Sequence, residues 1–158
     1  MTYRLFLLIL LLVTCFTAPL VRAQTALTVL QITGSREQVF TLEDLRNLNQ
    51  VEILTANEFV DDQKLFRGPL ARDVLTAMDV QVSADIKLTA ANDYQVEIPV
   101  RELFDYNVIL ALEIDGKPLS LRDKGPIWLI YPMSDHAELR DPVFNSRLVW
   151  QLIKMELN

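Results

Sequence analysis

Residues 92–106, NDYQVEIPVRELFDY, carry signals for a turn, a strand and a helix in direct succession. Asn92 and Asp93 favour a turn because their side chains bond to nearby backbone groups. Apolar and polar residues then alternate over residues 94–98, which is typical of a strand with one buried face. A proline ends that strand, and a short helix is predicted over residues 100–106. This succession is typical of a domain that mixes strands with short helices.

Further strands are predicted on both sides of this stretch, over residues 26–33, 38–40, 51–55, 85–90, 108–114, 117–121, 127–131 and 147–157. Asp115-Gly116 predicts a hairpin between two of them, because glycine accepts the positive φ angles of a tight turn. The continuous apolar run at 127–131 is typical of a central strand, and the strand at 147–157 should hold the C-terminus in the sheet. The predicted fold class is therefore α+β with short helices.

Two further helices are predicted upstream. One begins at Thr41, whose hydroxyl can cap the first turn while Asp44 reaches back to it. The other opens at Gly68-Pro69, where proline suits the first helical position because its missing N–H would be unpaired there. Its expected buried stripe comprises Leu70, Val74, Leu75 and Met78. Residues 57–66 are polar and lack a period, which predicts a surface loop.

The first 23 residues have the pattern of an export signal. Arg4 gives a positive start, residues 5–16 are largely apolar, and Val21-Arg22-Ala23 precedes the expected cleavage site. We expect a signal peptide over residues 1–23 and a single domain over 24–158. That domain would be periplasmic or secreted, with no stable membrane span after cleavage. The alternatives are an uncleaved membrane anchor and a lipoprotein attached at Cys15.

Charge and cysteine content exclude several classes of function. The chain has 15 basic and 21 acidic residues, and loss of Arg4 and Arg22 with the leader would take its net charge from −6 to −8. Nucleic acid is therefore an unsuitable partner. Cys15 is the one cysteine in the sequence, so a cleaved chain would have no disulfide, thiolate nucleophile or thiolate metal ligand.

Short motifs follow one another in order along residues 38–157: Thr41-Leu42-x-x-Leu45, Phe66-x-Gly68-Pro69-Leu70, Asp93-Tyr94-x-Val96-x-Ile98-Pro99, Asp115-Gly116-x-Pro118-Leu119, Asp123-Lys124-Gly125-Pro126 and Val149-Trp150. Their order and spacing resemble the sulfite oxidase type of molybdopterin-binding domain. The resemblance implies a strand-rich mixed sheet with short helices. It also implies molybdopterin as the cofactor and oxidoreductase chemistry.

The resemblance also places the family's cofactor-binding groups on this sequence, and several are replaced. The position of the metal-binding cysteine falls near Phe59. Where the family has an arginine two residues after the proline of its Gly-x-Pro segment, this chain has Trp128. The family's Lys-Trp pair is Val149-Trp150 here, and its histidine before glycine is Lys124. A phenyl ring cannot act as a metal ligand, and two charges that would face a pterin phosphate are missing. We therefore expect no bound cofactor, no metal site and no catalytic residue.

An aromatic set remains as the most informative group, namely Phe59, Phe66, Trp128, Tyr131, Phe144 and Trp150. Large rings dominate the cores of small domains, so core packing is one interpretation. The other is that some of these rings line the vacated cofactor cleft, with Arg67, Lys124 and Arg140 at its rim. The candidate cleft residues are Phe59, Arg67, Asn92, Asp93, Lys124, Trp128, Tyr131 and Trp150.

Other polar residues are interpreted as surface groups. His136 is the one histidine and lies in a charged segment, with no nucleophile at a spacing that would indicate a triad. Asp61-Asp62 lacks the spaced ligands and central glycine of a calcium loop. The same holds for the acidic residues Asp135, Glu138 and Asp141.

Three functions follow from the sequence as hypotheses. The first is an exported, non-catalytic binding module for a small-molecule ligand or an extracytoplasmic protein, such as a membrane sensor or enzyme. The second is a molybdopterin-dependent oxidoreductase subunit without a protein thiolate ligand, and the third is a structural accessory. Bound molybdenum would indicate the second, whereas a concave aromatic pocket or a large exposed apolar patch would indicate the first.

Overall fold

The computed structural model describes residues 27–76 and 78–157, so the expected leader and its cleavage site lie outside the described residues. The strands are β1 (Thr28–Thr33), β2 (Glu37–Thr41), β3 (Gln50–Asn57), β4 (Val60–Pro69), β5 (Asp85–Ala90), β6 (Gln95–Pro99), β7 (Ile109–Ala111), β8 (Glu113–Ile114), β9 (Lys117–Pro118), β10 (Trp128–Ile130) and β11 (Leu152–Leu157). The helices are α1 (Leu42–Asn47) and α2 (Val100–Asp105), with 3-10 turns at Asp73–Leu75, Leu121–Asp123, Ala137–Arg140 and Pro142–Arg147. None of the helices in the described ranges is long and apolar enough to cross a membrane.

The strands form three small sheets. The first has the order β2-β1-β11-β5-β6, in which β1 and β11 are parallel and the other neighbours antiparallel. The second, β3-β4-β8-β9, is antiparallel, and the third pairs β7 with β10. Mixed sheets with a few short helices confirm the predicted α+β, strand-rich fold class.

One cluster of buried apolar side chains draws on all three sheets, through residues such as Leu30, Phe66, Leu88, Ile109, Leu129 and Met155. The sheets approach each other closely at Gly68 of β4. A Cβ atom at that position would lie 1.9 Å from the carbonyl oxygen of Leu110 in β7. Glycine at position 68 is therefore a packing requirement.

The predicted cap of α1 is confirmed in detail. The Asp44 N–H donates to the Thr41 hydroxyl at 3.1 Å, and the Thr41 N–H donates to the Asp44 carboxylate at 2.8 Å. These bonds satisfy two backbone donors that the first turn leaves unpaired. The Thr41 hydroxyl in turn donates to the Asp44 carboxylate at 2.7 Å, and this bond is the main cause of the lowered pKa of Asp44.

The prediction of a surface loop over residues 57–66 is wrong. β3 and β4 form a hairpin in which Ile53 pairs with Phe66 and Leu54 with Leu65. The start of β4 is largely exposed, so its side chains are polar and the sequence shows no alternation there. Backbone pairing across the hairpin, rather than burial, holds this half of the strand extended.

The predicted helix at residues 69–78 is also wrong. β4 continues to Pro69, and Leu70 then forms a β-bridge with Ile109. These pairings keep the chain extended where the first helical turn was expected and leave one 3-10 turn, Asp73–Leu75. Tertiary contacts thus override local propensity. The expected buried residues that are indeed buried are Val74, Leu75 and Met78.

The C-terminal strand is shorter than predicted. β11 begins at Leu152 rather than at residue 147, because the chain first forms the 3-10 turn Pro142–Arg147. The apolar run at 127–131 is buried, as predicted, but its strand β10 has β7 as its partner within the described sheets, so it is not the centre of a larger sheet.

Candidate functional site

A pocket of about 360 Å³ lies where three loops meet at the end of the five-stranded sheet. Its walls come from the β3–β4 turn, the turn after β5, and the segment between residues 142 and 150. We call it the aromatic pocket, after its aromatic lining residues. The residues that contribute to its lining include Phe59, Asn92, Tyr94, Ser146, Val149 and Trp150. Most of the lining is apolar, which is typical of small-molecule sites.

The aromatic wall of this pocket is the pair Phe59 and Trp150. Their ring centroids are 4.8 Å apart and the rings are nearly perpendicular, at 86°. The edge of one ring therefore meets the face of the other, which is a favourable arrangement. The Phe59 N–H donates to the Asn57 side chain at 2.8 Å, and this bond fixes the tight turn that carries the phenyl ring.

The turn after β5 forms the second wall. The Asn92 side chain accepts a hydrogen bond from the Tyr94 N–H at 3.2 Å, as expected for an Asn turn. Asp93 has a positive φ of 65° and its N–H donates to the carbonyl of Ala90. The Tyr94 hydroxyl donates to the Ser146 carbonyl at 2.7 Å, so Tyr94 ties this turn to the third wall.

The third wall is the 3-10 turn Pro142–Arg147 and the residues that follow it. Asp141 caps it by accepting from the Val143 N–H at 2.9 Å. At its other end Arg147 pairs with the carboxylate of Glu102 in α2, which also accepts from the Tyr131 hydroxyl at 3.0 Å. This cluster anchors the wall to the core.

Tyr131 itself is buried. Burial and the neighbouring charge of Glu102 together raise the pKa of the Tyr131 hydroxyl well above its ordinary value of 10.0. The phenol therefore acts as a hydrogen-bond donor to Glu102 at neutral pH.

Trp128 and Lys124 lie next to the pocket. The Trp128 indole N–H donates to the Leu148 carbonyl at 3.2 Å, which fixes the segment that carries Trp150. The Lys124 ammonium lies 5.1 Å from the centre of the Trp128 ring and 3.5 Å from the Phe59 carbonyl oxygen. The positive charge of Lys124 is thus shared between a ring face and a backbone acceptor.

The structure brings some of the candidate cleft residues together and separates others. Phe59, Asn92 and Trp150 line the aromatic pocket, and Lys124 and Trp128 adjoin it. Asp93 is exposed in the turn beside Asn92.

The remaining candidates lie elsewhere. Arg67 does not line the pocket, since its guanidinium pairs with Glu113 of β8 at 3.2 Å. Tyr131 is in the core, and so is Phe66, whose ring lies 5.4 Å from Trp128. Arg140 donates to the carbonyl groups of Met133 and Ser134, away from the pocket. The aromatic set therefore divides between core and pocket.

Several lining residues were not singled out from the sequence. Tyr94 was interpreted as the start of a strand, and Asn145 and Ser146 fall just before a strand that was predicted to start too early. Asp141-Pro142 is a recognisable helix start, because Asp favours the N-cap and Pro the first helical position. That signal could have located the third wall.

Residues of the polar segment 134–138 contact neighbouring parts of the chain. His136 lies 3.6 Å from the Glu138 carboxylate and stacks edge-on against Tyr106. The Ser134 hydroxyl accepts from the Ala56 N–H at 3.1 Å, so it stabilises the end of β3. Across residues 27–76 and 78–157, no three His, Cys, Asp or Glu side chains come close enough together to hold a metal ion.

The chemistry of the pocket can be compared with the needs of a molybdenum cofactor. At the position where the resemblance implies a thiolate stands the Phe59 ring, packed on Trp150. Trp128 and Val149, where the resemblance implies cations, are buried and neutral. Lys124 keeps a positive charge next to the pocket. This set offers no soft anionic donor, so it does not suit a molybdenum ion.

Comparison with known proteins identifies the family. The profile described as "Oxidoreductase molybdopterin binding domain" matches residues 18–135, which is more than half of the chain. No curated protein sequence matches the chain.

The fold has a counterpart among solved structures. The chain is similar to the crystal structure of the sulfane dehydrogenase SoxCD from Paracoccus pantotrophus, with a TM-score of 0.62 and 16% sequence identity. The match covers 81% of this chain and 37% of that one, so this chain spans little more than a third of its length. At such low identity the likeness shows the fold alone. With the profile match and the motifs from Thr41 to Trp150, it follows that the chain belongs to the oxidoreductase molybdopterin-binding domain family, of the sulfite oxidase type.

Proposed function

We propose that this chain is a non-catalytic binding module that takes a small organic ligand in the aromatic pocket and carries no molybdenum. The observation that carries the proposal is the Phe59–Trp150 pair. The Phe59 ring takes the position at which the resemblance implies a thiolate and packs on Trp150, and the cation position next to Trp150 is the neutral Val149. A pocket rebuilt in this way can bind, but it cannot complete the coordination of a metal.

The size and construction of the pocket support a small-molecule ligand. Its volume of about 360 Å³ lies within the range of roughly 300 to 1,000 Å³ typical of such sites. Leu148 and Val149, each 2% exposed, form an apolar part of the lining. Each wall is held by its own hydrogen bonds, so the pocket is formed in advance and a ligand need not order it.

Metal content tests the proposal that the chain carries no molybdenum. The full chain is expressed with its own leader in a host that makes molybdopterin, together with Phe59→Cys, which restores a thiol at the family's ligand position. Phe104→Cys adds a thiol at an exposed site on α2 and controls for non-specific metal capture. We expect the wild type and Phe104→Cys to lack molybdenum by elemental analysis and pterin by fluorescence after oxidation.

Near-stoichiometric molybdenum in the wild type would overturn the proposal and favour the molybdopterin-dependent oxidoreductase subunit instead. A gain of molybdenum in Phe59→Cys alone would support it, because it would show that the thiolate is the missing element. Native mass spectrometry of the wild type, purified from its own host, tests the proposal that the pocket binds a small organic ligand. A copurified small molecule of defined mass is the expected result.

We also propose that the chain acts outside the cytoplasm as a single domain of residues 24–158, with the ligand or an extracytoplasmic protein as its partner. The leader pattern of residues 1–23 supports this. N-terminal sequencing of the protein made with its own leader should start at Gln24. A chain that starts at Met1, or a lipid on Cys15, would contradict the proposal.

A further inference from the structure

We infer that the ligand of the aromatic pocket is an organic cation, such as a substituted ammonium group. This inference rests on the proposed function and names the chemical class of the ligand. It is carried by three features of the pocket: the aromatic side chains, the sign of the charge at its edge, and the fixed positions of the nearest basic groups.

Three aromatic side chains reach the pocket from different loops. Phe59 comes from the β3–β4 turn, Tyr94 lies just before β6, and Trp150 lies just before β11. The faces of aromatic rings carry negative potential and attract cations, Trp most strongly. Three rings around one small cavity are the arrangement with which proteins recognise substituted ammonium groups.

The charge at the pocket has the matching sign. Glu58 is the carboxylate among the lining residues, and it sits in the turn beside Phe59. The remaining lining residues with polar side-chain groups are Asn92, Tyr94, Asn145, Ser146 and Trp150, which are uncharged. Within the described part of the chain, no Lys or Arg side chain lines this pocket. An anionic ligand would therefore lack a partner there.

The two basic side chains nearest to the pocket are already engaged. The Lys124 ammonium is held at the Phe59 carbonyl and over the Trp128 ring. The Arg147 guanidinium is paired with Glu102 and lies 4.5 Å from the centre of the Phe144 ring. Both charges are thus satisfied by groups of the protein, and neither side chain is in the lining. The family's cofactor carries an anionic phosphate, so the preference of this pocket is the reverse of its family's.

Three probes of nearly equal shape separate charge from size: choline, the neutral 3,3-dimethyl-1-butanol and the anionic 3,3-dimethylbutanoate. Binding to the full chain is followed by tryptophan fluorescence and calorimetry at low salt. We expect choline to bind about 3- to 30-fold more tightly than the neutral alcohol, the range expected for a partly desolvated cation–π site. The carboxylate should bind most weakly.

Two variants assign the effect to the pocket. Glu58→Gln should reduce the preference for choline over the alcohol, and Phe59→Leu should reduce it further while the alcohol still binds. Glu52→Gln, an exposed glutamate on β3 outside the pocket, is the matched control and should behave as the wild type.

Each outcome decides between the inference and the proposed function. Equal binding of choline and the alcohol would overturn the cation inference and leave the proposed function intact. Tightest binding of the carboxylate would also overturn it, and would assign Lys124 as the ligand's partner. If none of the three probes binds at millimolar concentration, both the inference and the small-ligand proposal fail.

Discussion

Two tryptophans face each other across one β-bridge, and they belong to different parts of the molecule. Trp128 and Trp150 are bridge partners. Trp128 is 1% exposed and packs edge-on against Phe66, whereas Trp150 is half-buried and packs against Phe59. One indole is therefore part of the core and the other part of a cavity wall.

The difference lies in what each ring packs against. Trp128 stands in β10, which pairs with β7, and its ring packs against Phe66 of β4, while its N–H is satisfied by the Leu148 carbonyl. Trp150 lies just before β11, and Phe59, against which it packs, lies in a turn. The Trp128 ring is buried among core side chains, which leave no room for a ligand, while the turns and the 3-10 segment around Trp150 leave a cavity. The bridge marks the boundary between the two regions.

The largest expected effect is on the Trp128 side, at Gly68→Ala. The new Cβ atom would lie 1.9 Å from the Leu110 carbonyl oxygen, so two strands must separate. We expect loss of more than about 4 kcal/mol in the free energy of unfolding, or no folded protein, because backbone cannot move aside as a side chain can. Urea denaturation followed by tryptophan fluorescence measures it.

The matched control is Gly116→Ala in the β8–β9 turn. A Cβ there meets no atom within 4 Å, and the cost comes from the positive φ of 73° alone. About 1 to 2 kcal/mol is expected. If Gly68→Ala cost no more than Gly116→Ala, the strand packing beneath Trp128 would not be as tight as described.

Leu75→Ala tests how far the core extends beyond the strands. Leu75 is 1% exposed although its 3-10 turn replaces the predicted helix. Removing a fully buried leucine side chain should cost about 2 to 5 kcal/mol. Leu121→Ala, at a leucine that is 68% exposed, should stay within about 0.5 kcal/mol. Equal losses in the two variants would place Leu75 outside the core.

The two tryptophans can be compared directly by substitution with phenylalanine. Trp128→Phe removes the donor to the buried Leu148 carbonyl, which should cost about 1 to 3 kcal/mol. Trp150→Phe should cost less in stability, because Trp150 is half-buried, but it should weaken choline binding. Chemical denaturation and fluorescence titration measure the two effects. A reversed order of stability loss would show that the bridge is not the boundary.

The sequence could predict the core around Trp128 but not the pocket around Trp150. Apolar runs and caps identified β10 and α1 because local residues determine them. The hairpin at 57–66 and the end of β4 depend on pairing with distant strands, so local pattern misled there. The same holds for the pocket. Phe59, Asn92 and Trp150 were named through the resemblance, whereas Tyr94 and Ser146 enter the pocket through a hydrogen bond between distant segments.

The smallest expected effect is that of Tyr131→Phe. Tyr131 connects the core with the third wall of the pocket. The Tyr131 hydroxyl donates to Glu102, which in turn holds Arg147 at the end of the pocket's third wall. Loss of this hydrogen bond should cost about 0.5 to 1.5 kcal/mol at neutral pH. Because burial raises the pKa of Tyr131 above 10.0, the folded state retains a proton that the unfolded state loses.

The wild type should therefore keep this contribution below pH 10 and lose it as the pH rises further, whereas Tyr131→Phe has no such proton to retain. Unfolding free energies of the two proteins, measured by denaturation between neutral pH and about pH 11, should converge at the alkaline end. Tyr106→Phe provides a graded comparison, since desolvation and Glu138 also raise the pKa of Tyr106, but by less. Parallel curves for wild type and Tyr131→Phe would mean that Tyr131 ionises as readily in the folded protein as in the unfolded chain. In that case the hydroxyl would not be buried against Glu102, and the core would not reach the anchor of the pocket wall.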